Sequence, residues 1–348
     1  MDFNHFLSSY YPDPTYGGKR LYGDMVEQAI LAEALGYRGV TVPEHHLINI
    51  LLTPAPLQMA VKVAAVTEHI EITTAVAVLP IHDMRIFAGE VAQADILTDG
   101  RLILGVGRGA FAYETARLGV PLEETRERFE ESLNVLMALL SEEEVSWSGK
   151  YYNFDPLTIM PRPLTKPMPR IMLAVVNEAG IAACTKRGFC IQTSPLSATL
   201  EVLKGQVEAH KSAKAEMGAA GEALYLTLLR VGYCAVDEAD AREKLELAYD
   251  YYSRFDNVMT GPGIVKNGCI EVLPRAQTIE ELKQNLLICT ADEMIDRLAV
   301  YDSIGVDEVM LNFNLGQPQA ETLDSMERFA AKVIPHFQRL PARAAAAD

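Results

Sequence analysis

The chain has little of what would mark it as a disulfide scaffold, a nucleic-acid binder or a membrane protein. Only five of its 348 residues are cysteines. Cys184, Cys190, Cys234, Cys269 and Cys289 form neither a C-x-x-C nor another metal-ligand spacing. Four of them lie among apolar or small residues, where reduced, buried thiols belong. Basic residues are outnumbered 31 to 47, for a formal charge of −16, a field that disfavours nucleic acid and anionic membrane surfaces. No apolar stretch approaches the roughly 20 residues needed to span a bilayer. The opening MDFNHFLSS lacks the basic and apolar regions of a secretory leader. These absences lead us to expect a reduced, cytoplasmic enzyme. Histidine is also scarce, at seven, yet two of the seven stand together in Val40-Thr41-Val42-Pro43-Glu44-His45-His46-Leu47.

What is present is alternation. Short β-branched runs at 3–7, 39–43, 70–79, 101–106, 170–176, 189–193, 224–235 and 306–312 read as eight strands. Most are separated by helical patterns, at 24–35, 54–67, 87–97, 123–140, 178–187, 198–216 and 238–252. Strands alternating with helices imply right-handed βαβ units and a parallel sheet. Eight of them predict a closed (β/α)8 TIM barrel of the α/β class, one domain over residues 1–340 with a frayed tail at 341–348. Few of the strands alternate apolar with polar, as suits strands covered on both faces. Two segments interrupt the rhythm. VSWSGKYYNF, within 144–169, predicts an inserted hairpin followed by a proline-rich strap. Residues 255–284, around TGPGIVKNG after strand seven, form a long, poorly patterned loop of the kind that serves as a lid.

A barrel carries its active site at the C-terminal ends of its strands, so the polar tips become one constellation. Strand two ends in Glu44-His45-His46, strand three in Leu79-Pro80-Ile81-His82, strand four in Gly105-Val106-Gly107-Arg108-Gly109, and strand five in Val176-Asn177-Glu178. The adjacent histidines lack the i, i+4 spacing of a helical zinc site. Their side chains also point to opposite faces of a strand. GVGRGA satisfies a loose dinucleotide pattern, but no strand follows it until residue 170, against a Rossmann reading. The glycines instead let backbone approach a ligand closely. Arg108 offers a fork for a phosphate or a partner for a carboxylate. Asn177-Glu178-Ala179-Gly180 opens a helix, as a simple cap or as a cap that also meets phosphate. Tyr10, Tyr11, Tyr16, Phe111 and Tyr113 are aromatics either of an apolar pocket or of ordinary packing.

PEHHL, the block TAVAVLPIHDMRIFAGEVAQADILTDGRLILGVGRG, the segment WSGKYYNFDPLTIMPRPLTKPMPRIML and LLICTADEMIDRLAVYDSIGVDEVMLNF together resemble the bacterial luciferase-like family of flavin-dependent monooxygenases. The likeness runs from about Phe3 to Pro335. It implies reduced flavin, usually FMN, bound at the barrel mouth and reacted with O2 to give a flavin hydroperoxide that oxygenates an organic substrate. It further implies a separate flavin reductase drawing on NAD(P)H, and a homodimer or tetramer. By the same resemblance His45 is the catalytic imidazole, with Glu44 orienting it or its neighbour, and Arg108 meets the flavin phosphate between Gly107 and Gly109. A non-prolyl cis peptide is expected at Ala75-Val76. The family's phosphate-binding serine is Asn177 here, the glutamate before it is Val176, and a reactive cysteine of luciferase is Gly107, all of which argue against light emission. Glu178 and Gly180 complete the implied phosphate site. The same barrel also admits a deazaflavin-dependent dehydrogenase or reductase, or a flavin-binding protein without turnover.

Overall fold

The computed structural model describes residues 1–337, so the tail expected at 341–348 lies outside the described residues. Eight parallel strands close on themselves: β1 (Asp2–Phe6), β2 (Gly39–Val42), β3 (Glu71–Thr74), β4 (Leu102–Gly107), β5 (Arg170–Ala174), β6 (Cys190–Thr193), β7 (Leu226–Ala235) and β8 (Glu308–Asn312). Each pairs with its successor and β8 pairs with β1, registering Asp2 on Glu308. The expected closed barrel is therefore present. Every residue of β2, β4 and β8 is buried, because helices cover the outside while side chains fill the inside.

The helices are α1 (Gly18–Ala34), α2 (Pro56–Ala64), α3 (Met84–Leu97), α4 (Ala112–Arg117), α5 (Thr125–Ser141), α6 (Glu178–Lys186), α7 (Leu200–Met217), α8 (Glu238–Met259), α9 (Ile279–Asn285), α10 (Ala291–Ile304) and α11 (Gln319–Lys332). Local chemistry sets several of their starts. Asp83, Asn177 and Asp237 accept backbone N–H groups of the first turns of α3, α6 and α8, and Thr278 with Glu281 forms a capping box on α9.

The barrel interior is partly polar. At its N-terminal end Glu308 accepts from Asn4 Nδ2 at 2.7 Å and from Thr227 Oγ1 at 2.8 Å. Higher up, Gly105 is required: a Cβ there would fall 1.9 Å from the Thr74 carbonyl oxygen.

Several features differ from the sequence reading, among them helices α9, α10 and α11, which it did not place. The run expected as one strand over 70–79 stops at Thr74, passes the cis peptide Ala75-Val76, and resumes as Ala77–Val78 before a 3₁₀ turn at Leu79–Ile81. Helix α8 runs to Met259 rather than ending near 252, using the first part of the supposed loop. An additional strand, Leu287–Thr290, pairs with the outer half of β7, so that ten-residue strand first closes the barrel and then continues past its rim. Finally, α4 is a helix of six residues, too short to show periodicity. The inserted hairpin forms as expected, Val145–Ser148 against Asn153–Leu157. Its turn is held by Glu131 of α5, which accepts the N–H groups of Lys150, Tyr151 and Tyr152.

Candidate active site

The tip of β2 separates Glu44 from His45, as the alternation of side chains along extended backbone requires. Glu44 is 1% exposed. Its Oε1 lies 2.8 Å from His46 Nε2 and 2.8 Å from His82 Nε2, and its Oε2 accepts the Val78 N–H at 2.7 Å. Burial alone pushes this carboxyl up, but the two imidazoles and the backbone N–H outweigh burial and hold it down at about 2. An ionised Glu44 has no proton to give, so both rings donate to it through Nε2. The His82 ring in turn stacks on Phe87, with centroids 4.7 Å apart. Glu44 thus orients the neighbour, His46, and not His45.

His45 has a carboxylate of its own. Its Nδ1 lies 2.8 Å from Glu114 Oε2, and the other Glu114 oxygen accepts the backbone N–H of His46. Glu114 sits on α4, buried except for its meeting with the β2 tip. One carboxylate therefore fixes both the imidazole and the backbone that carries it. The His45 ring lies flat on Phe111, centroids 4.4 Å apart and planes 19° off parallel. With Nδ1–H engaged by Glu114, Nε2 is left with its lone pair available.

Sequence reasoning missed Glu114 altogether. The available signal was a carboxylate three residues beyond Phe111, just after the glycine-bearing β4 tip. His82 was placed at a strand tip by the sequence, without a role.

The tips of β3, β4 and β5 make a shallow cradle of small residues. Ala75 and Val76, joined by the cis peptide, are half-exposed. A Cβ on Gly107 would fall 2.6 Å from Val76 Cγ2 and 3.7 Å from Ala174 Cβ. Gly109 adopts φ +80°, and a Cβ there would meet Val78 Cγ1 at 2.9 Å. Between these glycines Arg108 is exposed and, among the described residues, pairs with no carboxylate.

Val176 is 51% exposed at the β5 rim. Asn177 caps α6, its Oδ1 accepting from Gly180 N at 2.8 Å, and Gly180 itself packs on Val175, whose Cγ1 a Cβ would meet at 2.7 Å. Glu178 turns its carboxylate onto Gly205 of α7, where an added Cβ would lie 2.1 Å from its Oε1.

An aromatic roof covers the mouth beside His45. Phe111 meets Phe255 edge-on at 5.4 Å, and Tyr10 meets Tyr251 at 5.1 Å. Beyond Met259 the chain turns into a small hairpin, Val265–Lys266 against Cys269–Ile270. Asn257 anchors its base, donating Nδ2 to the carbonyls of Ile264 and Glu271 and accepting the Ile264 N–H. Its far strand is tied to the β2 loop, where Asn49 Oδ1 accepts the Ile270 N–H at 2.9 Å. The segment expected as a lid is thus seated on the strap that follows His45.

The strand tips of a closed parallel (β/α)8 barrel thus bring a carboxylate-held imidazole to one rim and a glycine-and-alanine cradle beside Arg108 to the other. The chain belongs to the luciferase-like monooxygenase family, whose model its residues 1–308 match. It is 27% identical to the oxygenase component of the flavin-dependent trigonelline monooxygenase of Acinetobacter baylyi, over 92% of this chain and 91% of that protein. Its fold is shared with the monooxygenase RslO1 from Streptomyces bottropensis (TM-score 0.84, 22% identity, 97% of this chain and 99% of that one). It is also shared with an F420-dependent secondary alcohol dehydrogenase bound to an F420-acetone adduct (TM-score 0.78, 18% identity, again 97% and 99%).

Proposed function

We propose that the chain is the oxygenase component of a two-component monooxygenase, which uses reduced FMN and O2 to oxygenate a small organic substrate. The observation that carries this reading is the His45–Glu114 pair standing at the mouth beside a cradle that cannot accept a Cβ at Gly107. The cradle fits a flat ring system: small, partly apolar, and rimmed by the free Arg108. Ala75, Val76 and Gly107 back the ring system. Arg108, with backbone N–H groups from Gly107 to Gly109 and those of Glu178 and Ala179 at the start of α6, would hold the phosphate, while the Gly180 N–H stays on the Asn177 cap. Bound there, reduced flavin supplies the electrons that activate O2.

The protein's own share is proton control and exclusion of water. His45 accepts or returns a proton at Nε2 while Glu114 keeps Nδ1 protonated and stabilises the cation that forms. Glu44 holds His46 and His82 as a rigid frame behind it. The 255–284 segment closes the mouth against water. A separate reductase drawing on NAD(P)H would supply the reduced flavin, a reading supported by the relative named as an oxygenase component. That relative spans nearly the whole chain, which favours flavin over deazaflavin.

Anaerobic titration separates the two cofactors. Reduced FMN is expected to bind stoichiometrically and, once oxygen is admitted, to oxygenate a member of a substrate panel. Preferential binding of reduced deazaflavin, with substrate turnover in the absence of O2, would overturn the assignment. Stoichiometric FMN retention with no oxygen consumption on any substrate would reduce the protein to a flavin carrier.

A further inference from the structure

Outside the cradle, the rim carries a groove of about 480 Å³, within the roughly 300–1,000 Å³ of small-molecule sites. Its walls are the strap after His45, with Leu47, Ile48 and Leu52, the helix that bears Glu114, with Tyr113 and Arg117, and the tip of the lid hairpin at Gly268. Strap and helix are the two elements that hold the His45–Glu114 pair together, so groove and pair share their walls.

The lining is mostly apolar, and among the described residues its one charged member is Arg117. In a chain of net charge −16 a lone cation there stands out. Arg117 lies with Cζ 3.5 Å over the Tyr113 ring and gives one N–H to the Tyr113 carbonyl at 3.0 Å. A guanidinium has five N–H donors in a fixed fork, and among the described residues the contacts of this one are the Tyr113 ring and carbonyl. Stacking on Tyr113 holds the fork in place at the groove's edge, where a planar two-oxygen anion meets it bidentately.

We infer that this groove receives the substrate, and that the substrate is an amphiphilic carboxylate: an apolar body along Leu47, Ile48 and Leu52, with its acid group on Arg117. The inference rests on the mouth being the active site, yet binding to the groove requires neither flavin nor turnover. It is therefore tested on flavin-free protein, by calorimetry or ligand-observed NMR, with benzoate, 3-phenylpropionate and octanoate against their primary amides.

The acids are expected to bind roughly tenfold more tightly than the amides, the advantage of a charged over a neutral hydrogen bond at a partly exposed site. Arg117→Gln should erase that preference while keeping amide affinity and reduced-FMN affinity, and Arg117→Lys should restore part of it. Equal binding of acids and amides overturns the inference, as does wild-type acid affinity in Arg117→Gln or no binding of any acid at millimolar concentration. Failure of reduced FMN to bind, with the acid preference intact, would count against the flavin reading alone.

Discussion

Glu114 is asked to do two things at once, to hold the His45 imidazole by Nδ1 and to hold the His46 backbone by its N–H. A glutamine keeps the size but neither the charge nor the certainty of accepting at both positions. Glu114→Gln is therefore expected to lower the oxygenation rate about 10- to 100-fold, part of the roughly 10²–10⁴-fold that a positioned acid–base group contributes. Reduced-FMN affinity should stay within twofold, a split read by anaerobic titration beside single-turnover rates. On the other side of the site, Gly107→Ala drives a methyl to 2.6 Å from Val76 Cγ2. Weakened flavin binding with the His45–Glu114 pair intact is the expected result, checked by the same titration. At this scale the sequence disclosed His45, Glu44 and Arg108 because strand tips of a barrel converge. It could not disclose Glu114, which reaches the site only through a six-residue helix, nor that Glu44 would serve His46 and His82.

The 264–271 hairpin is an element whose stability is local. Three hydrogen bonds to Asn257 and one to Asn49 seat the 264–271 hairpin, while its only antiparallel pairing involves Val265–Lys266 and Cys269–Ile270. Asn257→Ala should therefore raise amide exchange and protease cleavage across residues 260–272 with little change in the global unfolding transition. Hydrogen-exchange mass spectrometry checks this, and leakage of peroxide during turnover should rise in parallel as water gains access. The hairpin's existence was not legible, because two-residue strands leave no periodic trace. The extension of α8 was hidden in the same way, since its last turns bury aromatics under the roof instead of continuing a solvent-facing pattern. The break in β3 was foreseen only through the resemblance that placed a cis peptide at Ala75-Val76.

For the molecule as a whole, the barrel was readable because eight β-branched runs fully buried on two faces, separated by helices, admit few other closures. The polar layer inside it was not, since Asn4, Thr227 and Glu308 find one another only after closure. Burial also makes the fold sensitive to acid. His5 is fully buried and desolvation lowers it to about 4, against the hydrogen bond from its ring to Gln28; His210 is likewise lowered to about 4, again chiefly by burial. Between pH 6.5 and 4 the unfolded chain therefore binds protons that the folded chain refuses, so stability falls as the pH falls through that window. His5 alone accounts for roughly 3 kcal/mol of that loss. Urea midpoints should drop across this range, and His5→Gln should flatten the slope.

The central claim is that reduced flavin reacts with O2 while held at a mouth governed by His45. Its most direct test is rapid mixing of the anaerobic protein–reduced FMN complex with oxygenated buffer, without and with the member of the substrate panel that the protein oxygenates. Wild-type protein should consume O2 with a clear lag before oxidised flavin appears, and His45→Ala should bind reduced FMN as before but lose coupled product. Immediate oxidation at the rate of free reduced FMN, or unchanged product formation in His45→Ala, would contradict the account.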